Sequence, residues 1–171
     1  MNGVHIRQNA LVWDLSNDQS AFSGRIVLDD LIETLPKWDY AASMTTDTAE
    51  AQADLAWAGS PLNINLRSAN GDLKFSAADG RFVEVESGTS GLRILGLLNF
   101  TKIAKRINFD FSDVVGEGLG FEKIEANIRL QDGELTFPER MLVDTSSGNF
   151  QVGGRVDLRT GELDNEMIVT L

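Results

Sequence analysis

The side chains best suited to nucleophilic or acid–base catalysis are scarce in this sequence. His5 is the single histidine and cysteine is absent, and no Gly-x-Ser-x-Gly motif presents a serine nucleophile. One histidine without cysteine gives no ligand set for zinc, and no EF-hand pattern supplies oxygen ligands for calcium. We therefore predict no catalytic residue, no metal site and no cofactor, and hence a protein that is not an enzyme.

Carboxylates and tryptophans are the remaining candidates for a site. The two carboxylates of a glycosidase can lie far apart in sequence, but most acidic residues here fall at turns or, like Glu125 and Glu166, on polar faces of predicted strands. Trp13, Trp38 and Trp57 would suit a platform that stacks on sugars, although aromatic residues on strands usually pack in a core. A carbohydrate-binding or glycosidase domain is therefore a less favoured alternative.

The composition is that of an acidic chain with enough apolar residues for a core. The 171 residues are 42% hydrophobic and carry a formal net charge of -11, which favours one folded domain over a disordered tail. Since phosphate backbones and anionic bilayers attract basic surfaces, this charge argues against nucleic acid as a partner.

The sequence shows no segment that would direct or anchor the chain by itself. Its N-terminus lacks the basic and apolar regions of a signal peptide, and its longest apolar stretch, residues 92–100, is shorter than the roughly 20 residues of a spanning helix. The alternation of the last strand continues to Leu171. We therefore expect residues 1–171 to be a single domain cut from a longer chain that carries the targeting signal and the membrane anchor.

Apolar residues at every second position predict β-strands over most of the chain, because successive side chains of a strand point to opposite faces. Six strands are predicted in this way, over residues 10–15, 23–28, 51–57, 123–130, 150–158 and 163–171. Dipeptides suited to tight hairpin turns favour sequential antiparallel pairing. These dipeptides are Asn70-Gly71, Asp79-Gly80, Asp132-Gly133 and Thr160-Gly161.

Two segments depart from the period of two and predict short helices, packed at the end of the sheet or on its apolar face. Residues 29–38 begin with Asp29 and Asp30, whose charges suit the positive end of a helix, and Pro36 limits its length. Residues 90–107 space apolar residues at near-helical intervals and end with basic residues. The side chains predicted to pack or dock through this second helix are Leu92, Leu95, Leu98, Ile103 and Ile107.

The stretch GLRILGLLNFTKIAKRINFDFSDVVGEGLGFEKIEANIRLQDGEL, residues 91–135, resembles the C-terminal region of the YhdP and AsmA-like family of bacterial envelope proteins. Family members show a similar order of a leucine-rich helix, a basic turn, an L/F-x-F-x-D strand, a glycine-rich loop and a hairpin. Residues 53–88 resemble the preceding family segment, where a Trp-x-Gly-x-Pro turn leads into an Asn-Gly-x-Leu strand. The residues that match it are Trp57, Gly59, Pro61, Asn70 and Gly71.

This resemblance implies a long, curved antiparallel sheet with an open apolar groove, in a protein that is anchored in the inner membrane and spans the periplasm. It implies phospholipid transport to the outer membrane and a role in the permeability barrier of the envelope, with acyl chains held in the groove. Membrane contact is expected through parts of the longer protein outside these residues, and another envelope protein is a further candidate partner.

The groove is expected to be lined by the apolar faces of the predicted C-terminal strands. A sheet with one apolar face must cover that face with helices, a second sheet or an apolar ligand. The alternative to a lipid groove is a structural module that caps the sheet or docks a partner without binding lipid. The predicted lining residues are Ile124, Ala126, Ile128, Leu130, Leu135, Phe150, Val152, Val156, Leu158, Leu163, Met167 and Val169.

Overall fold

A computed structural model of the chain describes residues 4–37, 44–82 and 119–170. These residues form nine strands and one short helix. The strands are β1 (Val4–Asp14), β2 (Gln19–Leu28), β3 (Met44–Ala58), β4 (Asn70–Phe82), β5 (Leu119–Gln131), β6 (Glu134–Thr136), β7 (Met141–Thr145), β8 (Gly148–Asp157) and β9 (Leu163–Thr170). The helix α1 (Leu31–Lys37) connects β2 to β3.

All nine strands belong to one antiparallel sheet in which neighbours in sequence are neighbours in space. β6 and β7 together fill the place of one strand, because both pair with β5 on one side and with β8 on the other. β1 and β9 lie at the two edges, and the curved sheet does not close into a barrel. The predicted mainly β fold, with one curved antiparallel sheet and little helix, is confirmed.

The alternation that predicts strands corresponds to alternating burial in the structure. In β3, Ala51, Ala53, Leu55 and Trp57 are buried and the residues between them are exposed. Burying one face removes about 25 cal/mol of unfavourable hydration per Å² of apolar surface. A slip of one residue would turn that whole set of side chains to water, so the register is fixed by this pattern.

Two of the four dipeptides predicted as hairpin turns do form turns, and two do not. Asp132-Gly133 connects β5 to β6, and Thr160-Gly161 lies in the turn between β8 and β9. Asn70-Gly71 and Asp79-Gly80 instead lie within β4. Asp79 adopts a positive φ of 51° inside the strand, so the feature that suits a turn serves here as a local irregularity in a continuous strand.

The helix predicted over residues 29–38 is observed as α1. The side chain of Asp30 accepts a hydrogen bond from the backbone N–H of Glu33 at 3.0 Å, which satisfies one of the free donors at the start of the helix. Leu31 and Thr34 are buried, and α1 contacts β3. The second predicted helix, over residues 90–107, lies outside the described residues, as do the packing or docking residues assigned to it.

Two clusters of buried apolar side chains form the core. The first lies at the end of the sheet near α1 and includes Leu28, Leu31 and Phe82. The second lies at the opposite end and includes Leu55 and Trp57. Ile128 and Phe137 are partly buried and pack against both clusters. Among the described residues, the side chains of both clusters thus lie on a single face of the sheet.

Candidate functional site

The apolar inner face of the sheet, defined as the face that carries the two core clusters, is the candidate site. Residues directly opposite each other on paired strands point to the same face, so the register traces rows of side chains across the sheet. One of these rows, near the turn between β1 and β2, runs from edge to edge. Its members are Leu11, Phe22, Leu55, Gly71, Leu130, Leu135, Val156 and Leu163.

A second row crosses the inner face near α1. It has no charged member and consists of Leu28, Ala49, Ala77, Ile124, Val143, Phe150 and Val169. Eleven of the twelve predicted lining residues lie on the strands β5 to β9 at inner-face positions, and Leu158 follows β8 in the second cluster. The structure therefore brings the predicted set together on one face.

Burial divides the predicted lining residues into two groups. Ile128, Met167 and Val169 are partly buried and Leu163 is 46% exposed. The others are at most 6% exposed, so their side chains already contact protein on all sides. This buried group is Ile124, Ala126, Leu130, Leu135, Phe150, Val152, Val156 and Leu158.

The N-terminal half of the sheet supplies inner-face residues that were not among the predicted lining. In β2, Phe22 and Ile26 are partly buried and pair with Leu55 and Ala51 of β3. Their period of two was visible in the sequence, but small residues of β2 interrupt the apolar pattern and made it less distinct. On β4, partly buried Leu73 and Phe75 extend the face toward β5; they are further inner-face residues missed from sequence.

The two tryptophans in the described part of the chain, Trp13 and Trp57, do not form the exposed platform that a sugar-stacking site would need. Trp57 is 4% exposed, and its indole N–H donates a hydrogen bond to the backbone oxygen of Ser60 at 3.2 Å. Trp13 is 45% exposed and lies opposite Ser20 on β2, which lies opposite Trp57 on β3. Trp38 lies outside the described residues. The packing role predicted for aromatic residues is confirmed for Trp57.

The outer face of the sheet is polar and carries ion pairs between neighbouring strands. The guanidinium of Arg129 contacts the carboxylate of Asp72 at 2.8 Å, and this contact raises the pKa of Arg129. Arg25 pairs with Glu50 in the same way across β2 and β3. Because these pairs are exposed, each adds little to stability, but together they define the face that meets water.

A cavity of about 360 Å³ opens on the outer face beside residues 137–140. Its lining includes Glu50, Lys74, Glu125 and Arg140. Most of the lining side chains are charged or polar, so the cavity is not suited to an apolar ligand. Among the described residues, no group of three or more histidine, cysteine, aspartate or glutamate side chains is arranged to hold a metal ion.

The turn between β1 and β2 and the loop between β3 and β4 form one end of the sheet, which we name the loop end (residues 15–18 and 59–69). The backbone N–H of Gly59 donates to the oxygen of Asp18 at 2.7 Å, and the Ser20 hydroxyl donates to the oxygen of Gly59 at 2.7 Å. Asp14 accepts hydrogen bonds from Ser16 and from the amide of Asn17. These bonds lower the pKa of the Asp14 carboxyl, so it is charged at neutral pH.

The turn between β8 and β9 is organised around Asp157. Its carboxylate accepts hydrogen bonds from the backbone N–H groups of Arg159 and Thr160, at 2.8 and 3.1 Å. Bonds to the charged form favour ionisation, and they lower the pKa of Asp157. The backbone N–H of Leu158 in turn donates to the oxygen of Gly133 at 2.8 Å, which ties this turn to the hairpin between β5 and β6.

Comparison with known proteins gives the family of the chain. Residues 3–171 match the family described as YhdP protein. The chain is also 28% identical over 116 residues to the intermembrane phospholipid transporter YhdP of Escherichia coli (strain K12), and this match covers 68% of the chain but 9% of the relative. No solved structure matches the chain significantly. In the part of the chain that the structure describes, no helix is long and apolar enough to cross a membrane. With a family match over almost its whole length, the chain belongs to the YhdP protein family.

Proposed function

We propose that this chain is a non-enzymatic segment of a phospholipid transport protein of the bacterial envelope, and that its inner face holds acyl chains. The observation that carries the proposal is the row of apolar residues and one glycine that crosses the sheet from Leu11 on β1 to Leu163 on β9. Four of its inner members, Leu55, Leu130, Leu135 and Val156, are buried, while both ends are exposed. Support also comes from the relative of 28% identity, whose name describes intermembrane phospholipid transport.

Within this proposal, the partly buried and exposed residues of the inner face contact the lipid, while the buried ones hold the sheet in its curved shape. Each CH₂ group transferred from water to an apolar surface contributes about 0.8 kcal/mol, so a few partly covered side chains suffice to retain an acyl chain. Because the described contact residues are apolar, we expect no discrimination between headgroups. These residues are Phe22, Ile26, Leu73, Phe75, Ile128, Leu163, Met167 and Val169.

The wider setting of the proposal follows the family. The full protein would be anchored in the inner membrane by a segment outside this chain, span the periplasm, deliver phospholipid to the outer membrane and so maintain the permeability barrier. The chain spans about one tenth of the length of its curated relative. It would therefore contribute one stretch of a longer apolar surface.

A specific observation favours a second candidate function, a structural module that caps the sheet or docks another envelope protein. Eight of the twelve predicted lining residues are buried within the chain itself, as expected for a closed core. In this alternative the apolar residues Leu92, Leu95, Leu98, Ile103 and Ile107 would provide the packing or docking surface, and lipid would not enter.

Native mass spectrometry of the chain purified from bacterial membranes, followed by lipid extraction, separates the two functions. Two neighbouring residues of β9 provide a matched pair of variants, because Val169 lies on the inner face and Ile168, 45% exposed, lies on the outer face. If the inner face holds lipid, phospholipid co-purifies at a defined stoichiometry, and Val169→Asp lowers its amount whereas Ile168→Asp does not. A folded wild-type chain without lipid would support the capping module.

A further inference from the structure

Four large apolar side chains project into water at or beside the loop end. Leu62 is 95% exposed, Leu15 74%, Ile64 51% and Trp13 45%. Single exposed apolar residues are ordinary, but several on one corner of a protein mark a site of interaction. Leu15 lies in the turn after β1, and Leu62 and Ile64 lie in the loop after β3. Because β3 is separated from the β1 edge by β2, a further strand that paired with β1 would not cover Leu62 and Ile64.

The loop that carries Leu62 and Ile64 is held in place from both sides. Besides the hydrogen bonds that join Gly59 to Asp18 and Ser20, the indole of Trp57 donates to the backbone of Ser60. On the far side of the loop, Leu66 packs against the second core cluster. The loop that carries Leu62 and Ile64 therefore has its shape before any partner binds, and binding costs little conformational entropy.

The size and chemistry of the tip favour a bilayer over a protein as its partner. A stable protein interface buries roughly 800 Å² on each side, which is more than the four side chains of Trp13, Leu15, Leu62 and Ile64 provide. A bilayer surface accepts a few aliphatic side chains, and tryptophan is enriched at its interface. The carboxylates of Asp14 and Asp18 beside the tip would repel anionic lipid and attract the ammonium groups of zwitterionic headgroups.

We propose that the tip formed by Trp13, Leu15, Leu62 and Ile64 inserts into the surface of a bilayer rich in zwitterionic phospholipid with amine headgroups. This inference rests on the proposed function, because Trp13 belongs to the inner face and the tip therefore continues the surface that would hold acyl chains. Lipid leaving the bilayer at the tip would meet the row of Leu11 and Phe22 next. The tip is thus an entry or exit point for lipid.

Flotation of the 171-residue chain with vesicles of phosphatidylethanolamine and phosphatidylcholine tests the tip. The double variant Leu15→Asp and Leu62→Asp is expected to lower the fraction bound at least tenfold, and replacing part of the lipid by phosphatidylglycerol is expected to weaken binding of the wild type. Each of the single variants Leu15→Asp and Leu62→Asp should also bind less, and their matched control is Ile168→Asp, which places one such charge on an exposed isoleucine of the outer face. All substituted positions are exposed, so circular dichroism should show unchanged folding.

Failure to float with zwitterionic vesicles would overturn the tip proposal, as would equal flotation of the double variant and the wild type or equal loss in the control. The lipid content of the same proteins by mass spectrometry keeps the two proposals apart. A double variant that loses flotation but retains co-purified phospholipid supports both the tip and the inner-face site. A wild type that floats but never carries lipid retains the tip and removes the inner-face function.

Discussion

Gly71 provides the sharpest test of how the curved sheet is built. It is the member of the edge-to-edge row that has no side chain, and it lies on β4 between Leu55 of β3 and Leu130 of β5. Its φ is +138°, a conformation open to glycine and rarely to other residues. A Cβ atom added there would overlap the backbone oxygen of Asp54. Gly71→Ala must therefore separate β3 from β4 or force the backbone of β4 into another conformation.

The expected cost of Gly71→Ala is about 3 kcal/mol of unfolding free energy. Backbone strain at a disallowed φ contributes about 1–3 kcal/mol, and overpacking adds about 1–3 kcal/mol, while the reduced entropy of the unfolded chain offsets about 0.4–1 kcal/mol. Gly161→Ala is the matched control, since Gly161 has a φ of +75° but nothing within 4 Å of an added Cβ. That variant should lose about 1 kcal/mol.

Urea unfolding followed by circular dichroism measures the difference. With a dependence on urea of about 2 kcal/mol per M, the midpoint should fall by about 1.5 M for Gly71→Ala and by about 0.5 M for Gly161→Ala. Equal midpoints for the two variants would refute the reasoning, because they would show that the contact with Asp54 carries no cost. The same Gly71→Ala protein should also carry less phospholipid if the proposed function is right, since the row would be broken at its centre.

Three further predictions concern the core, the loop end and the response to acid. Leu130→Ala should lower the unfolding free energy by about 3 kcal/mol, because Leu130 is 2% exposed. Leu142 lies on the outer face and is 39% exposed, so Leu142→Ala should cost under about 1 kcal/mol. Similar urea midpoints for the two variants would contradict the assignment of faces. Ser20→Ala removes the hydrogen bond to Gly59 and should cost about 1 kcal/mol while increasing amide exchange in the loop of residues 59–69; unchanged exchange would show that the bond does not hold the loop. The pKa of Asp157 is lowered in the folded chain, so its contribution to stability is fully present above its ordinary pKa of 3.8 and is lost as pH falls through the lower folded value. Thermal unfolding of the wild type should therefore show stability falling below about pH 4, and Asp157→Asn should make this fall smaller. The same fall in the variant as in the wild type would contradict this.

The predictable part of the structure was the part in which local alternation and burial agree. In β5, residues such as Ile124 and Leu130 alternate with charged residues, so the sequence alone identifies both the strand and its buried face. The same reasoning placed residues of β8 and β9 on the same face, and the register confirms this. A resemblance in the order of motifs, centred on residues 91–135, identified the family.

The features that local sequence patterns could not predict depend on contacts between residues distant in sequence. Asn70-Gly71 and Asp79-Gly80 are typical of hairpin turns, yet both lie inside β4 because β3 and β5 continue to pair with this strand on both sides. The exposed fraction of each inner-face side chain could not be predicted from local patterns either. Val152, at 1% exposed, and Met167, partly buried, have similar alternation in sequence. The difference in burial arises from their positions, since in the described sheet β8 has neighbours on both sides and β9 lies at the edge.

The place where β6 ends and β7 begins restricts how the length of this chain can change in evolution. Between the paired positions Thr136 and Leu142 lie five residues, whereas three lie between their partners Arg129 and Glu125 on β5. The two additional residues lie in the connection 137–140, which is not part of a strand, so β6 and β7 keep the same face toward the core. A change in length that shifted the pairing of β7 by one residue would direct Val143 into water and its charged neighbour Asp144 into the core. Related sequences should therefore vary in length within 137–140 while the pairing of β7 stays the same.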